Sequence, residues 1–293
     1  MPLKDALLAV LVMLFWGVNF VVIDWGLHGV PPLVFVALRF ALVVFPAVLF
    51  IPRPPVRWRS LMLVGSLMSL GQFGFLYTSL ALGMPPGLAS LVLQIQAAFT
   101  VLIAFLAIGE RPRQHQVAGV VLGMVGLGIV AAGRGGATPW AALLLSLGAA
   151  ACWAAGNVAS RRVGTASGLS LTVWSGTIVP IPMLALALVV NGPAEVGHAF
   201  AHLTLANLAS TAYTACLASL LGYGVWNSLL ARHSASSVAP FSLLVPPVGI
   251  ATAWLVQGER PTPLVLVGGV VLLAGVGWTS LGARLVARRP VPA

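Results

Sequence analysis

Charged residues are scarce in this chain. They make up 7% of its 293 residues, whereas hydrophobic residues make up 59%, and the mean hydropathy is +1.04. Soluble domains carry roughly 25% charged residues, and one soluble core could not bury this much apolar surface. Lipid must therefore solvate much of the chain, and the composition predicts an integral membrane protein.

Acidic residues are scarcer than basic ones. All five carboxylates lie at the ends of apolar runs or between them: Asp5, Asp24, Glu110, Glu195 and Glu259. Carriers coupled to protons or sodium commonly keep a carboxylate at membrane depth. Its absence disfavours cationic substrates and a conventional proton relay, and it leaves uniport and an unconventional proton coupling open.

Motifs for several kinds of chemistry are absent as well. The sequence has no Gly-x-x-x-x-Gly-Lys-[Ser/Thr] loop for ATP, and no His-Glu-x-x-His or Gly-x-Ser-x-Gly motif. Its two cysteines, Cys152 and Cys216, lie in apolar runs without metal-ligand spacing. The net charge of +10 comes from scattered basic residues, not from a basic face for nucleic acid. We expect no enzyme activity, ATP hydrolysis, cofactor, metal or nucleic-acid partner.

Ten apolar runs are close to the ~20 residues that a bilayer crossing requires. They span approximately 6–25, 32–51, 60–82, 86–108, 114–132, 140–160, 168–190, 204–230, 235–257 and 263–284. Short connections with Pro, Gly and Arg join them. The sequence predicts an all-α integral membrane protein of ten transmembrane helices, with the first run retained and not cleaved as a signal peptide.

The distribution of basic residues predicts the orientation. With the amino terminus inside, the cytoplasmic side holds Lys4, Arg53, Arg57, Arg59, Arg111, Arg113, Arg161, Arg162, Arg232, Arg284, Arg288 and Arg289. The opposite side holds Arg134 and Arg260. We therefore expect both termini in the cytoplasm.

An internal repeat divides the chain. Gly109-Glu110-Arg111-Pro112 recurs as Gly258-Glu259-Arg260-Pro261, an offset of 149 residues (258 − 109). The same offset pairs Gly119 with Gly268, Gly126 with Gly275, Gly128 with Gly277, and Tyr77 with Trp226. Trp16 pairs with Trp153 at an offset of 137 (153 − 16), and we assign the difference to a longer outer loop around Asn191 to His202.

Each half contains five predicted spans, so the second half must enter the membrane from the opposite side. We predict two inverted five-helix repeats, 1–134 and 135–293, that together form one transport domain. Inverted repeats are an architecture of secondary transporters.

Arg39 is the only charged residue well inside a predicted span. A cation at mid-membrane costs ~2.5–3.5 kcal/mol on insertion scales. Two interpretations are open. Arg39 snorkels to the outer interface or caps carbonyl groups, or it lines a cavity and binds a substrate carboxylate.

Neutral polar residues also lie at membrane depth: Asn19, Gln72, Tyr77, Gln94, Gln96, Asn157, Tyr223, Asn227 and Ser242. Hydrogen bonding between helices is one explanation. A pocket is the other, because three pairs share a helical face: Trp16 with Asn19, Trp153 with Asn157, and Tyr223 with Trp226. Gln94 and Gln96 are two residues apart, so we expect at most one of them to face a cavity.

Glycine and proline mark packing features. Glycines 119, 123, 126 and 128 predict close helix packing, either within the chain or at a dimer face, which leaves monomer and weak homodimer open. Pro246-Pro247 predicts a kink in the ninth span that is either a substrate-contacting hinge or purely structural. The counterpart is Ala97-Ala98, so we expect the halves to differ there.

Several segments together resemble the EamA-type branch of the drug/metabolite transporter superfamily. They are Trp16-Gly17-Val18-Asn19-Phe20, Leu38-Arg39-Phe40, Gly87-Leu88-Ala89-Ser90-Leu91-Val92-Leu93-Gln94, the Gly-Glu-Arg-Pro repeat with its glycine-rich span, and Val238-Ala239-Pro240. The resemblance covers nearly the whole chain. Within the branch, the chain is similar to bacterial inner-membrane exporters of the cysteine/O-acetylserine and aromatic amino-acid types.

The resemblance implies a central cavity, alternating access, and broad export of amino acids or similar zwitterionic metabolites across the inner membrane. Efflux of drugs or other metabolites is the alternative within the superfamily, and an intramembrane enzyme is the alternative outside it. The cavity positions that the resemblance implies are Trp16, Asn19, Arg39, Tyr77, Gln94, Trp153, Asn157, Tyr223 and Trp226.

Overall fold

The computed structural model describes residues 2–133, 136, 138–163, 168–233 and 235–287. Arg134, Arg288, Arg289 and the predicted boundary between residues 134 and 135 lie outside the described residues. Within these ranges the chain is helical and contains no strand.

Eleven helical segments follow one another in the described ranges. They are α1 (Leu3–Gly26), α2 (Pro32–Phe50), α3 (Trp58–Ala81), α4 (Pro86–Ile108), α5 (Gln114–Gly133), α6 (Trp140–Val163), α7 (Gly168–Val190), α8 (Gly192–Ala201), α9 (205–232), α10 (235–257) and α11 (Pro263–Ala287).

Eight of the described helices, α1 to α7 and α9, are long and apolar enough to cross a membrane. The last two predicted spans coincide with shorter apolar helices, Phe241–Gln257 in α10 and Pro263–Thr279 in α11. The predicted outer loop around residues 191–202 instead forms α8. This segment is helical because its buried Val196 and Ala199 are three residues apart and pack toward α7.

Local departures from α-helical winding occur at matching places in the two halves. The segments Ser66–Gly71 in α3 and Tyr213–Leu221 in α9 are π-helical. The segments Leu93–Ile95 in α4 and Ala239–Leu244 in α10 are 3-10 helices. Adding 149 to each first-half segment gives 215–220 and 242–244, which lie inside the second-half segments. The winding therefore follows the sequence repeat.

The two halves differ less in backbone winding near Pro246-Pro247 than the sequence suggests. Helix α4 changes its winding at the equivalent place without a proline. Pro246 and Pro247 lie in the first turn of the α-helix Val245–Gln257, where backbone N–H groups have no α-helical partner. Proline therefore fits this position without being the sole cause of the break.

Helices α5 and α11 pack through their glycines. A Cβ atom added at Gly119 would lie 2.7 Å from the Gly275 carbonyl oxygen, and one at Gly126 would lie 2.8 Å from that of Gly268. The contact residues of α11 decrease in number from Gly275 to Gly268 as those of α5 increase from Gly119 to Gly126. The two helices therefore run antiparallel. This confirms packing within the chain for Gly119 and Gly126, and it leaves neither free for a dimer face.

Candidate functional site: a central cavity

A cavity of about 1070 Å³ lies between helices of both halves. Eight of the nine residues predicted to form a central cavity line it: Trp16, Asn19, Arg39, Gln94, Trp153, Asn157, Tyr223 and Trp226. Tyr77 does not line the cavity. It is fully buried, and its hydroxyl accepts a hydrogen bond from Arg39. Pro246 and Pro247 are not among the described lining residues.

Gln94 and Gln96 both line the cavity. The expectation that at most one of them faces it is therefore wrong. The 3-10 winding of Leu93–Ile95 changes the angle between successive side chains, and the cavity extends around more than one face of α4. Gln96 accepts a hydrogen bond from the side-chain amide of Asn157 at 3.1 Å, which joins the two halves across the cavity wall.

Arg39 extends into the protein interior and does not snorkel. Its side chain is 2% exposed, and its guanidinium carbon lies 3.9 Å from the centre of the Phe73 ring. Nη1 donates to the Tyr77 hydroxyl at 2.8 Å, and Nη2 donates to Ser219 Oγ at 2.9 Å. Nε has no hydrogen-bond partner among the described residues. The guanidinium group is thus held in place by two of its five N–H groups, and the other three make no bond there.

The π-helical segment of α9 presents Ser219 to Arg39. Ser219 Oγ donates to the carbonyl oxygen of Thr214, five residues earlier, at 2.8 Å. This spacing is that of π winding, which often occurs at functional sites. Nothing in the sequence pattern indicated this contact, because it depends on the departure from α-helical geometry.

No carboxylate balances the charge of Arg39 among the described residues. The ion pairs there are Arg161–Glu110 and Arg232–Asp5, and His233 shares a hydrogen bond with Asp5. The same ranges contain no group of three or more His, Cys, Asp and Glu residues that could hold a metal ion. A buried cation with only neutral partners is costly, so an anion in the cavity would stabilise it.

An aromatic wall faces the cavity. The Trp16 ring centre lies 5.3 Å from that of Tyr223 and 5.5 Å from that of Trp226. Trp16 Nε1 donates to the Ala218 carbonyl at 2.9 Å, which fixes the orientation of the indole. Tilted aromatic clusters of this kind present ring faces to a ligand with an apolar body or a positive charge.

Two buried amides supply unused acceptors. No described residue bonds Asn19 Oδ1 or Gln72 Oε1, and both residues line the cavity. Buried polar atoms are almost always hydrogen-bonded, so two enclosed acceptors without a partner in the cavity wall are candidates for contact with a bound ligand. Gln72 was among the polar residues at membrane depth but not among the predicted site residues, since its depth alone did not distinguish it from a residue that bonds between helices.

The cavity opens at one end of the molecule, which we call the open end. Its lining there includes Glu110 and Pro112 after α4, Arg161 near the end of α6, and Gly168 at the start of α7. Arg161 and Glu110 form an ion pair at 3.5 Å, with each side chain 52% exposed. Such an exposed pair contributes little to stability.

The opposite end, where the connections 27–31, 82–85 and 258–262 lie, contributes no described lining residue. We call it the closed end. Glu259 Oε2 accepts a hydrogen bond from the Gly87 backbone N–H at 3.0 Å, and Asp24 Oδ2 accepts one from the Gln257 amide at 2.7 Å. Burial raises the pKa of Glu259, and the neighbouring Asp24 carboxylate also raises it. These contacts join α4 and α1 to the end of α10.

Comparisons with known proteins agree with this architecture. The model of the EamA-like transporter family matches residues 3–132 and again residues 140–281. A "Probable amino-acid metabolite efflux pump" of Escherichia coli (strain K12) is 40% identical over 290 residues, covering 97% of each chain. A "Probable terminal-alkyne amino-acid exporter" of Streptantibioticus cattleyicolor is 34% identical over 213 residues, covering 70% of this chain and 69% of the relative.

A solved crystal structure shares the fold. It has a TM-score of 0.63 and 19% sequence identity, and the alignment covers 98% of this chain and 99% of the other. The family model itself accounts for well over half of the residues, and its two matches include both Gly-Glu-Arg-Pro copies. This chain therefore belongs to the EamA-like transporter family.

Proposed function

We propose that the protein exports amino acids and related small zwitterions across the bacterial inner membrane, with broad specificity. The observation that carries this proposal is Arg39, a buried cation that has no carboxylate partner among the described residues. It lies at a cavity whose lining includes aromatic rings and two amides with oxygens that no described residue bonds. The guanidinium suits a carboxylate, and the oxygens and rings suit an ammonium group. The similarity to a probable amino-acid metabolite efflux pump and to a probable terminal-alkyne amino-acid exporter supports it.

We further propose ten membrane crossings in two inverted halves, 1–134 and 135–293, with both termini in the cytoplasm. The antiparallel contact of α5 and α11, the matching changes of winding, and the excess of basic residues on one side support this topology. In this orientation the open end faces the cytoplasm, where an exporter must load its substrate.

Transport by alternating access would then require the closed end to open. Glu259 bonds the backbone of Gly87 at the start of α4. The repeat offset relates Glu259 to Glu110 and Gly87 to Ser236 (87 + 149) at the start of α10. We propose that Glu110 leaves Arg161 and accepts a hydrogen bond from the start of α10 when the cytoplasmic end closes.

Amino-acid exchange tests the proposed function directly. Purified protein in proteoliposomes preloaded with an unlabelled neutral amino acid should accumulate the labelled form without any ion or voltage gradient. Counterflow is expected because binding and alternation need no energy input. Protein-free liposomes are the control, and a panel of neutral amino acids should be used. Absence of exchange across the whole panel would contradict the proposal.

Acid should favour the conformation with the closed end sealed. Glu259 has a raised pKa when buried there, and it regains an ordinary glutamate pKa of ~4.3 when the end opens. Protons therefore bind more tightly to the sealed form, which is stabilised at low pH and loses this stabilisation as pH rises through the raised pKa. Exposure of the closed end should thus increase with pH above ~4.3.

A single cysteine can report this opening. In a background lacking Cys152 and Cys216, Ser90→Cys places a thiol at a fully buried position against Gly249. Labelling by a membrane-impermeant maleimide should rise with external pH more steeply than in the same reporter carrying Glu259→Gln. Comparing the two at each pH cancels the thiol's own titration. Equal pH profiles would show that Glu259 does not control the seal.

A further inference from the structure

The charges around the cavity are unevenly distributed. Among the described lining residues, Arg39 and Arg161 are cationic and Glu110 is anionic. Glu110 is paired with Arg161 at the open end, and both are half exposed. Arg39 is therefore left as the one unbalanced charge of the described lining, and it lies at the buried part of the cavity.

A carboxylate gains a full counter-charge at this position. Two hydroxyl groups hold the guanidinium of Arg39, and neither neutralises it. These bonds use one of the two N–H groups on each Nη atom, and Nε, which protein atoms enclose, is unpaired among the described residues. Charge-assisted hydrogen bonds to a guanidinium are among the strongest in proteins, because the planar group matches carboxylate geometry.

An ammonium group gains no counter-charge. The buried unpaired acceptors are neutral amide oxygens of Asn19 and Gln72, and the remaining partners are the ring faces around Trp16. Such contacts recover only part of the hydration that an ammonium loses when it is buried. An uncharged N–H group loses far less hydration, and the same amide oxygens can accept from it.

We propose that the carboxylate is the required recognition group and the charged amine is not, so that the cavity also transports small monoanionic carboxylates such as N-acylated amino acids. This inference rests on the proposed function, since it concerns the same cavity and the same transport cycle. The cavity volume of about 1070 Å³ leaves room for the added acyl group.

The test uses matched derivatives in the counterflow assay. L-Serine, L-methionine and L-phenylalanine are each compared as the free amino acid, the N-acetyl derivative and the carboxamide, which keeps the amine but lacks the carboxylate. The N-acetyl derivative should compete with its labelled parent within about tenfold, whereas the carboxamide should be at least about 100-fold weaker. Direct uptake of the N-acetyl derivative, measured by mass spectrometry, should accompany the competition.

Arg39→Met supplies a second comparison. Transport of the free amino acid and of its N-acetyl derivative should fall by similar factors, because both depend on the same guanidinium. Exchange of free amino acids without competition by any N-acetyl derivative would overturn the inference and leave the proposed function standing. Carboxamides that compete as well as the acids would also overturn it. Absence of exchange by every free amino acid would instead contradict the proposed function itself.

Discussion

Replacing Arg39 with methionine is expected to lower the transport of neutral amino acids at least about 100-fold, which corresponds to ~2.7 kcal/mol. Removing one partner of a buried charged hydrogen-bond pair typically costs ~2–5 kcal/mol. Methionine fills a similar volume but offers no donor to a carboxylate. Counterflow in proteoliposomes at equal protein content measures the change.

The same variant should keep or gain thermal stability. Arg39 is 2% exposed and has no carboxylate partner among the described residues, so its substitution removes the cost of burying a charge. Ser219 retains its hydrogen bond to Thr214, and the buried Tyr77 hydroxyl retains a side-chain hydrogen bond with Thr214, so neither hydroxyl is left unpaired. Loss of transport without loss of stability separates substrate recognition from a structural role, and it is read from the melting temperature of the solubilised protein.

Two further variants control for charge. Arg39→Lys keeps the charge but loses the planar fork that bonds Tyr77 and Ser219 together, so we expect an intermediate loss of about tenfold. Arg53→Gln removes an exposed cation that does not line the cavity, and its effect should stay within about threefold because Arg53 contacts only the Val56 carbonyl and the Trp58 ring among the described residues. Full transport by Arg39→Met would exclude Arg39 as the carboxylate-binding group.

Gly126→Leu is expected to lower the yield of monodisperse protein severely. A Cβ atom at Gly126 would overlap the backbone nitrogen of Leu272 and would lie 2.8 Å from the carbonyl oxygen of Gly268. These are backbone atoms of α11, so they cannot rotate away as a side chain can. Overpacking in well-packed cores typically costs ~1–3 kcal/mol, and a contact between two backbones lies at or above that upper value.

Gly128→Leu is the matched control. Gly128 is in the same helix, and apart from its chain neighbours and the nearby backbone of that helix, no heavy atom of the described residues lies within 4 Å of a Cβ added there. The control should give nearly the yield and melting temperature of the unsubstituted protein, because a leucine there meets open space and suits a lipid-facing surface. Fluorescence-detected size-exclusion chromatography compares the two variants. Equal behaviour would mean that α5 and α11 do not pack through Gly126.

The helices were largely predictable from the sequence because lipid imposes a simple length rule. Predicted spans such as 86–108 and 168–190 coincide with α4 (Pro86–Ile108) and α7 (Gly168–Val190). The helix α8 was not predicted, because its ten residues are too short to cross a bilayer and only one of its faces is apolar. Such a segment does not stand out as a long apolar run. The 3-10 and π segments were not predicted either, because they depend on packing between helices and not on local propensity.

The candidate site was predictable to the level of polar and aromatic residues at membrane depth. Trp16, Asn157 and Trp226 line the cavity, as expected for residues on shared helical faces. The mutual placement was not predictable: Tyr77 is fully buried and bonds Arg39 without lining the cavity, whereas Gln72 lines the cavity. The position of a polar residue within a span does not show whether its side chain bonds another helix or faces a ligand.

By itself, the sequence determined the membrane environment, the internal repeat and the family resemblance, because composition, run length and spacing are properties of the chain. The tertiary structure alone decided that Arg39 is held by Tyr77 and Ser219, with no carboxylate of the described part of the chain beside it. It also decided that Glu259 bonds Gly87 at the closed end. These contacts join residues that are 38, 180 and 172 positions apart. Such pairings arise from the packing of distant helices, which no local pattern in the sequence encodes.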